Sequence, residues 1–154
     1  MSKKQVLYES YVVTTREEYE ALKKRGYDLL FYDNNLKLDI ALRKEIQEEI
    51  FGKGNHQEAN QKFYRMAWDK SMTRCHTHFC QECSRPLLEY SATYISHILS
   101  RGAHPEMAYD LRNYNLLCPA CHSRWENGDR EKMRIWRKNE AIMRLLKKEY
   151  EGID

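Results

Sequence analysis

Cys80-Gln81-Glu82-Cys83 opens, and Cys118-Pro119-Ala120-Cys121-His122 closes, the stretch on which the reading of this chain depends. A two-residue gap lets both sulfurs of a pair reach one ion from a tight turn. Four thiolates then close a tetrahedron around zinc with no open position, so the site they predict is structural. The 34 residues between the pairs, 84–117, are more than a simple ribbon needs, so a folded element is inserted there. That insert carries Ser96-His97-Ile98 and Asp110-Leu111-Arg112-Asn113. Cys75, His76 and His78 precede the first pair, but the paired cysteines already fill a tetrahedral site, and these three are read as bystanders.

Working outward, 154 residues allow one domain, or one small domain with an appendage. A 42% hydrophobic content can bury a core, while 32% charged residues and a mean hydropathy of −0.85 give a polar surface. No apolar run is long enough to span a membrane, and nothing after Met1-Ser2-Lys3-Lys4-Gln5 reads as a signal peptide. With grouped cysteines, this predicts a cytoplasmic protein. Net charge is only +3, but residues 119–148 hold nine Lys or Arg against four acids. Such an excess is either a solvated helix face or a phosphate-binding surface. Arg124, Arg130, Arg134, Arg137 and Lys138 are its candidate nucleic-acid contacts.

The flanks are mostly helical in pattern. Residues 6–13 read as a strand. Thr15 with Glu18 marks a helix start, and Gly26 marks its stop. Tyr27–Tyr32 is a strand or buried turn. Leu38, Leu42, Ile46 and Ile50 recur every four residues, which predicts a helix over 36–51, ended by Gly52-Lys53-Gly54. Asn55 with Glu58 opens another, to about Ser71, burying Phe63, Met66 and Ala67. Phe63, Tyr64 and Trp68 are read as core rather than as a base-stacking platform. Alternation over Tyr90–Ile95 predicts a strand that delivers His97 at its end. A short apolar run, Asn115-Leu116-Leu117, leads into the second pair. Helix follows from Pro119, breaks at Asn127-Gly128, and resumes to about Glu149.

The order Cys80-x2-Cys83, Ser96-His97-Ile98, Asp110-x2-Asn113, Leu117-Cys118-x2-Cys121-His122 resembles the HNH endonuclease family, over residues 80–126. The resemblance implies a ββα-metal core with structural zinc at 75–128; the residue pattern sets a mostly helical region of unknown role at 1–74 before it and a basic amphipathic C-terminal helix at 129–154 after it, which makes the chain α+β. The resemblance implies His97 as the general base that activates water, a task suited to imidazole near neutral pH. It implies Asn113 as the residue that holds the loop and orients the base, with Asn115 a poorer match to the spacing. It implies His122 as the ligand of a catalytic divalent cation (Mg2+, Mn2+ or another). Many members carry an aspartate ligand directly before the first histidine; this chain has Ser96. A hydroxyl is a poor ligand for a hard cation. Either His104 or Asp110 supplies the second ligand, or the cation is held weakly, or activity is lost.

Two functions of different classes follow. One is a metal-dependent endonuclease acting on DNA, double-stranded by the resemblance, of phage or mobile-element type (homing, packaging or restriction). The other is a zinc-stabilised nucleic-acid-binding module without catalysis. The N-terminal region, nearly balanced in charge with 14 basic and 12 acidic residues over 1–74, offers a surface for a protein partner.

Overall fold

Thr15 behaves as its sequence context predicts: its hydroxyl accepts from the Glu18 backbone N–H at 3.3 Å and starts a helix. The computed structural model describes residues 10–52, 56–73 and 75–153. The part of the predicted first strand at 6–9, and the caps at Lys53, Gly54 and Asn55, lie outside these. The chain divides into two compact units, residues 1–52 and 53–154.

In the first unit, β1 (Tyr11–Val13) and β2 (Leu36–Leu38) pair in parallel, with Val13 opposite Leu38. Between them runs α1 (Arg16–Lys24), and after them α2 (Ile40–Phe51). The helix predicted from residue 36 therefore begins four residues late. Asp39 is its N-cap, accepting from the N–H groups of Ala41 and Leu42. Leu38 keeps the four-residue spacing but is spent on the sheet, where it is buried. Tyr27–Tyr32 contains a turn and no strand. Its Leu29 and Leu30 carbonyls are bonded by the buried Arg43 guanidinium at 2.6 and 3.1 Å.

The second unit begins with α3 (His56–Lys70), which belongs with the cysteine-bearing part although the sequence reading grouped it with the N-terminal region. Ala59, Phe63 and Ala67, at helical spacing, are its buried stripe, joined by Trp68; Met66 is half-buried. The strand predicted over 90–95 is replaced by a 3-10 turn at Ala92–Tyr94. There the Ser91 hydroxyl accepts from the Thr93 N–H at 3.3 Å, a local bond that competes with extended chain. The hairpin proper is β3 (Ile95–His97) against β4 (Tyr114–Leu116), antiparallel, with Ser96 opposite Asn115 and His97 opposite Tyr114. Then come α4 (Pro119–Asn127), a 3-10 turn at Arg130–Lys132, and α5 (Trp136–Glu151). Gly128 ends α4 where a Cβ would meet the Arg124 carbonyl at 3.0 Å.

The segment 98–113 leaves the hairpin and packs on α5. Leu99, Met107 and Leu146 form a buried cluster with Ile142, Met143 and Tyr150 against it. A buried ionic network fastens the same contact. Asp110, fully buried, accepts from Arg112 Nη2 at 2.8 Å and from the Tyr150 hydroxyl at 2.8 Å, and Arg112 reaches Glu149 at 3.1 Å. Burial alone would weaken the Arg112 charge, but the two carboxylates raise its pKa overall. Removing one partner of such a network leaves a buried charge uncompensated. Asp110→Ala should destabilise this unit by about 3–5 kcal/mol. Chemical denaturation of the zinc-loaded protein checks this, and a change under 1 kcal/mol would mean that the network is dispensable.

Candidate active site and metal centre

The two cysteine pairs meet. Cys80 and Cys83 sit in a tight turn in which Ser84 takes a left-handed conformation (φ 65°) and donates its N–H to the Cys80 carbonyl at 2.9 Å. Cys118 is the N-cap of α4, and Cys121 lies in its first turn. All four sulfurs lie within 4.8 Å of one another, and Cys83 Sγ is 3.8 Å from Cys118 Sγ. With Zn–S bonds of about 2.3 Å, the edge of a tetrahedron is also about 3.8 Å. These four cysteines form a zinc-binding group, closed and all-sulfur. Burial and the neighbouring Cys118 and Cys80 sulfurs push the Cys121 thiol up. For Cys80, burial is outweighed by backbone N–H groups of Cys83, Cys118 and Glu82, which bring it down to about 7. Without a cation, crowded thiolates repel; with one, all four can ionise.

Cys75 is exposed and outside the group. His78 is stacked on Trp68 at 3.5 Å between ring centres, its Nε2 2.7 Å from the Trp68 carbonyl, so it serves packing. The knuckle also reaches the C-terminal helix: both Glu82 carboxylate oxygens accept backbone N–H bonds, from Arg134 at 2.9 Å and Ile135 at 3.1 Å, just ahead of α5.

His97 and His122 line one cleft of about 820 Å³, with Tyr64, Arg101, Glu126 and Arg130 among the other walls. His97 ends β3. Its ring stacks on Phe63 at 5.3 Å, and its Nε2 donates to the Ala108 carbonyl at 2.9 Å. A carbonyl can only accept, so the proton is on Nε2 and Nδ1 carries the lone pair. Burial lowers the His97 pKa below its ordinary 6.5, against the Ala108 bond, which raises it; Arg101 and His122 lower it further. The ring is neutral at pH 7. His122, in α4, faces the Thr93 carbonyl with Nδ1 at 2.7 Å, which leaves Nε2 for a ligand; Glu126 Oε1 lies 2.9 Å from that nitrogen. This donor set, imidazole nitrogen beside carboxylate oxygen in an open cleft, fits a divalent cation.

Asn113 is fully buried. Its Oδ1 accepts from the Leu99 N–H at 2.8 Å, and its Nδ2 is within 3.1 Å of the Leu99 and Met107 carbonyls. It closes the base of the loop that begins one residue after His97. Asn115 does something else: its Oδ1 accepts from Lys138 Nζ at 3.0 Å. Neither candidate for a second cation ligand is free for it. Asp110 is consumed by Arg112 and Tyr150, and His104 Nδ1 is 3.2 Å from Glu151, in a cluster with Glu106.

Of the five basic candidates, Arg130 alone lines the cleft, its guanidinium 5.1 Å from the Trp125 ring centre. Arg124 pairs with Asp129 at 2.8 Å. Lys138 has its ammonium held by Gln81 and Asn115 and its pKa lowered by burial. Arg134 and Arg137 are exposed and do not line the cleft. Sequence reading missed Arg101 and Glu126. Their signal was spacing, Arg101 four residues after His97 and Glu126 one helical turn after His122.

Residues 80–128 match the family model described as HNH endonuclease. This segment is similar to an HNH domain. The match covers about a third of the chain, and no curated protein or solved structure matches it. The HNH domain and its zinc group support a nuclease-type function in general. No helix among the described residues is long and apolar enough to cross a membrane.

Because the zinc group joins the 80–83 turn to α4, metal removal should loosen the HNH domain as a whole. Chelation is expected to abolish its cooperative melting transition, and adding zinc back to restore it. An unchanged melting curve in the zinc-free protein would show that the four cysteines do not support the fold.

Proposed function

We propose that the HNH domain hydrolyses phosphodiester bonds in DNA with a divalent cation, Mg2+ or Mn2+. The observation that carries this reading is that His97 and His122 share one cleft, each with its tautomer set by a backbone carbonyl, Ala108 for His97 and Thr93 for His122. His97 is neutral, and its Nδ1 takes the proton of a water molecule as the water oxygen bonds to phosphorus. The P–O ester bond opposite breaks, and the leaving oxygen takes a proton from solvent. His122 Nε2 would hold the cation, which would polarise the phosphate and stabilise the leaving oxygen. Asn113 keeps the 98–113 loop closed, so that the Ala108 carbonyl stays beside His97. Arg101 and Arg130 provide positive charge on the cleft wall for the phosphate backbone. The four cysteines do not touch substrate.

A non-catalytic, zinc-stabilised nucleic-acid-binding module is the second reading. Ser96 favours it, since it stands where a carboxylate ligand is expected.

Cleavage of supercoiled plasmid separates the two. His97→Ala should lose about 10²–10⁴-fold in rate while keeping its zinc. If His97→Ala cuts as fast as the wild type, the nuclease reading is wrong. The lowered His97 pKa sets the pH dependence: the base is competent throughout the range above 6.5, so the acidic limb of the single-turnover rate should lie below 6.5. A limb above 6.5 would mean that another group is titrating.

Binding to a duplex should weaken steeply with salt. Arg101→Ala and Arg130→Ala should each reduce the slope of log K against log salt by about 1. Unchanged slopes would remove the two arginines from the phosphate surface.

A further inference from the structure

A hard cation needs oxygen ligands, and one imidazole nitrogen does not hold it. Ser96 cannot help. It is fully buried, its hydroxyl has no hydrogen-bond partner, and it does not line the cleft that His97 lines. Successive residues of a strand face opposite ways, so a side chain at 96 points away from the one at 97. Among the described residues that line the cleft, Glu126 is the one carboxylate. It is one helical turn beyond His122 on α4, and residues four apart share a helix face.

The contact between the two has a specific chemical meaning. His122 Nδ1 faces a carbonyl and carries a proton, so in the neutral ring Nε2 presents a lone pair. Glu126 Oε1, also an acceptor, stands 2.9 Å away. Two acceptors at that distance repel unless a proton or a cation lies between them. Two ligands in adjacent positions of an octahedron, with bonds of about 2.1 Å, are about 3.0 Å apart. The pair is therefore spaced as a chelate, with the remaining positions open toward the cleft for water and phosphate oxygens.

We propose that Glu126 and His122 together form the cation site of this HNH domain, with Glu126 supplying the carboxylate that residue 96 does not. This rests on the nuclease reading of the cleft, but its test does not. One nitrogen and one carboxylate oxygen favour Mn2+, with Mg2+ bound more weakly.

The test is calorimetric titration of Mn2+ into the full, zinc-loaded chain, with and without a short duplex made uncleavable by phosphorothioate linkages. Glu126→Gln keeps the size and polarity of an exposed side chain, so its zinc content and melting should match the wild type. It should weaken Mn2+ binding at least tenfold, and Ser96→Ala should leave it unchanged. Glu126→His should recover tight binding of Ni2+, because two histidines four apart on a helix bind such ions. Wild-type Mn2+ affinity in Glu126→Gln overturns the proposal, as does a wild-type chain that binds no Mn2+ even on the duplex. A Glu126-dependent Mn2+ site in a protein that never cuts plasmid upholds the cation site and removes the nuclease reading.

Discussion

Four sulfurs held within 4.8 Å of one another join a turn at residues 80–83 to the first turn of α4, across 34 intervening residues. The rest of the second unit is arranged around that junction. His122 follows Cys121 directly, so the metal group sets the position of the helix that presents it. Leu116, two residues before Cys118, accepts the Gln81 N–H at 2.8 Å, which ties the hairpin to the same turn. Glu82, between the first two cysteines, caps the approach to α5. A hydrophobic core of this size is a weak constraint on geometry, whereas tetrahedral coordination fixes directions as well as distances.

Holding one end of a hairpin does not hold its loop. The segment 98–113 is secured by polar bonds in apolar surroundings: Asn113 closes its base, and Asp110 with Arg112, Glu149 and Tyr150 binds it to α5. Such groups cost free energy to bury and recover it only in one arrangement, so they specify geometry more than they add stability. The consequence at the site is a fixed His97. Its ring is stacked on Phe63 and hydrogen bonded to Ala108. The burial that comes with this packing holds the imidazole pKa below its ordinary value.

The N-terminal unit has its own logic: a short parallel strand pair and two capped helices, with Arg43 buried against the Leu29 and Leu30 carbonyls. Its exposed face pairs Arg16 with Glu45 and Glu49.

The fold class and the zinc group were legible in the sequence because their determinants are local or chemically narrow. CxxC spacing allows few uses, Thr15 and Pro119 mark helix starts, and His97, Asn113 and His122 stand in an order that few arrangements share. The α+β class and the zinc group followed from these residues. What sequence could not decide depends on partners distant in the chain. Leu38 fits a helical repeat, yet it joins a strand because Val13 is there to pair with it. Ala92–Tyr94 alternates like a strand, yet Ser91 caps a 3-10 turn there. Lys138 reads as a free cation, but its ammonium is spent on Gln81 and Asn115. Asp110 reads as a possible ligand and is committed to Arg112 and Tyr150. Sequence by itself determined which chemical groups this protein has and which of them lie close in the chain. Tertiary structure decided which of those groups are paired inside the fold and which, like Glu126 and His122, come together on the wall of a cleft. That distinction belongs to the fold, because a hydrogen bond or an ion pair needs two partners and the chain fixes only one of them at a time.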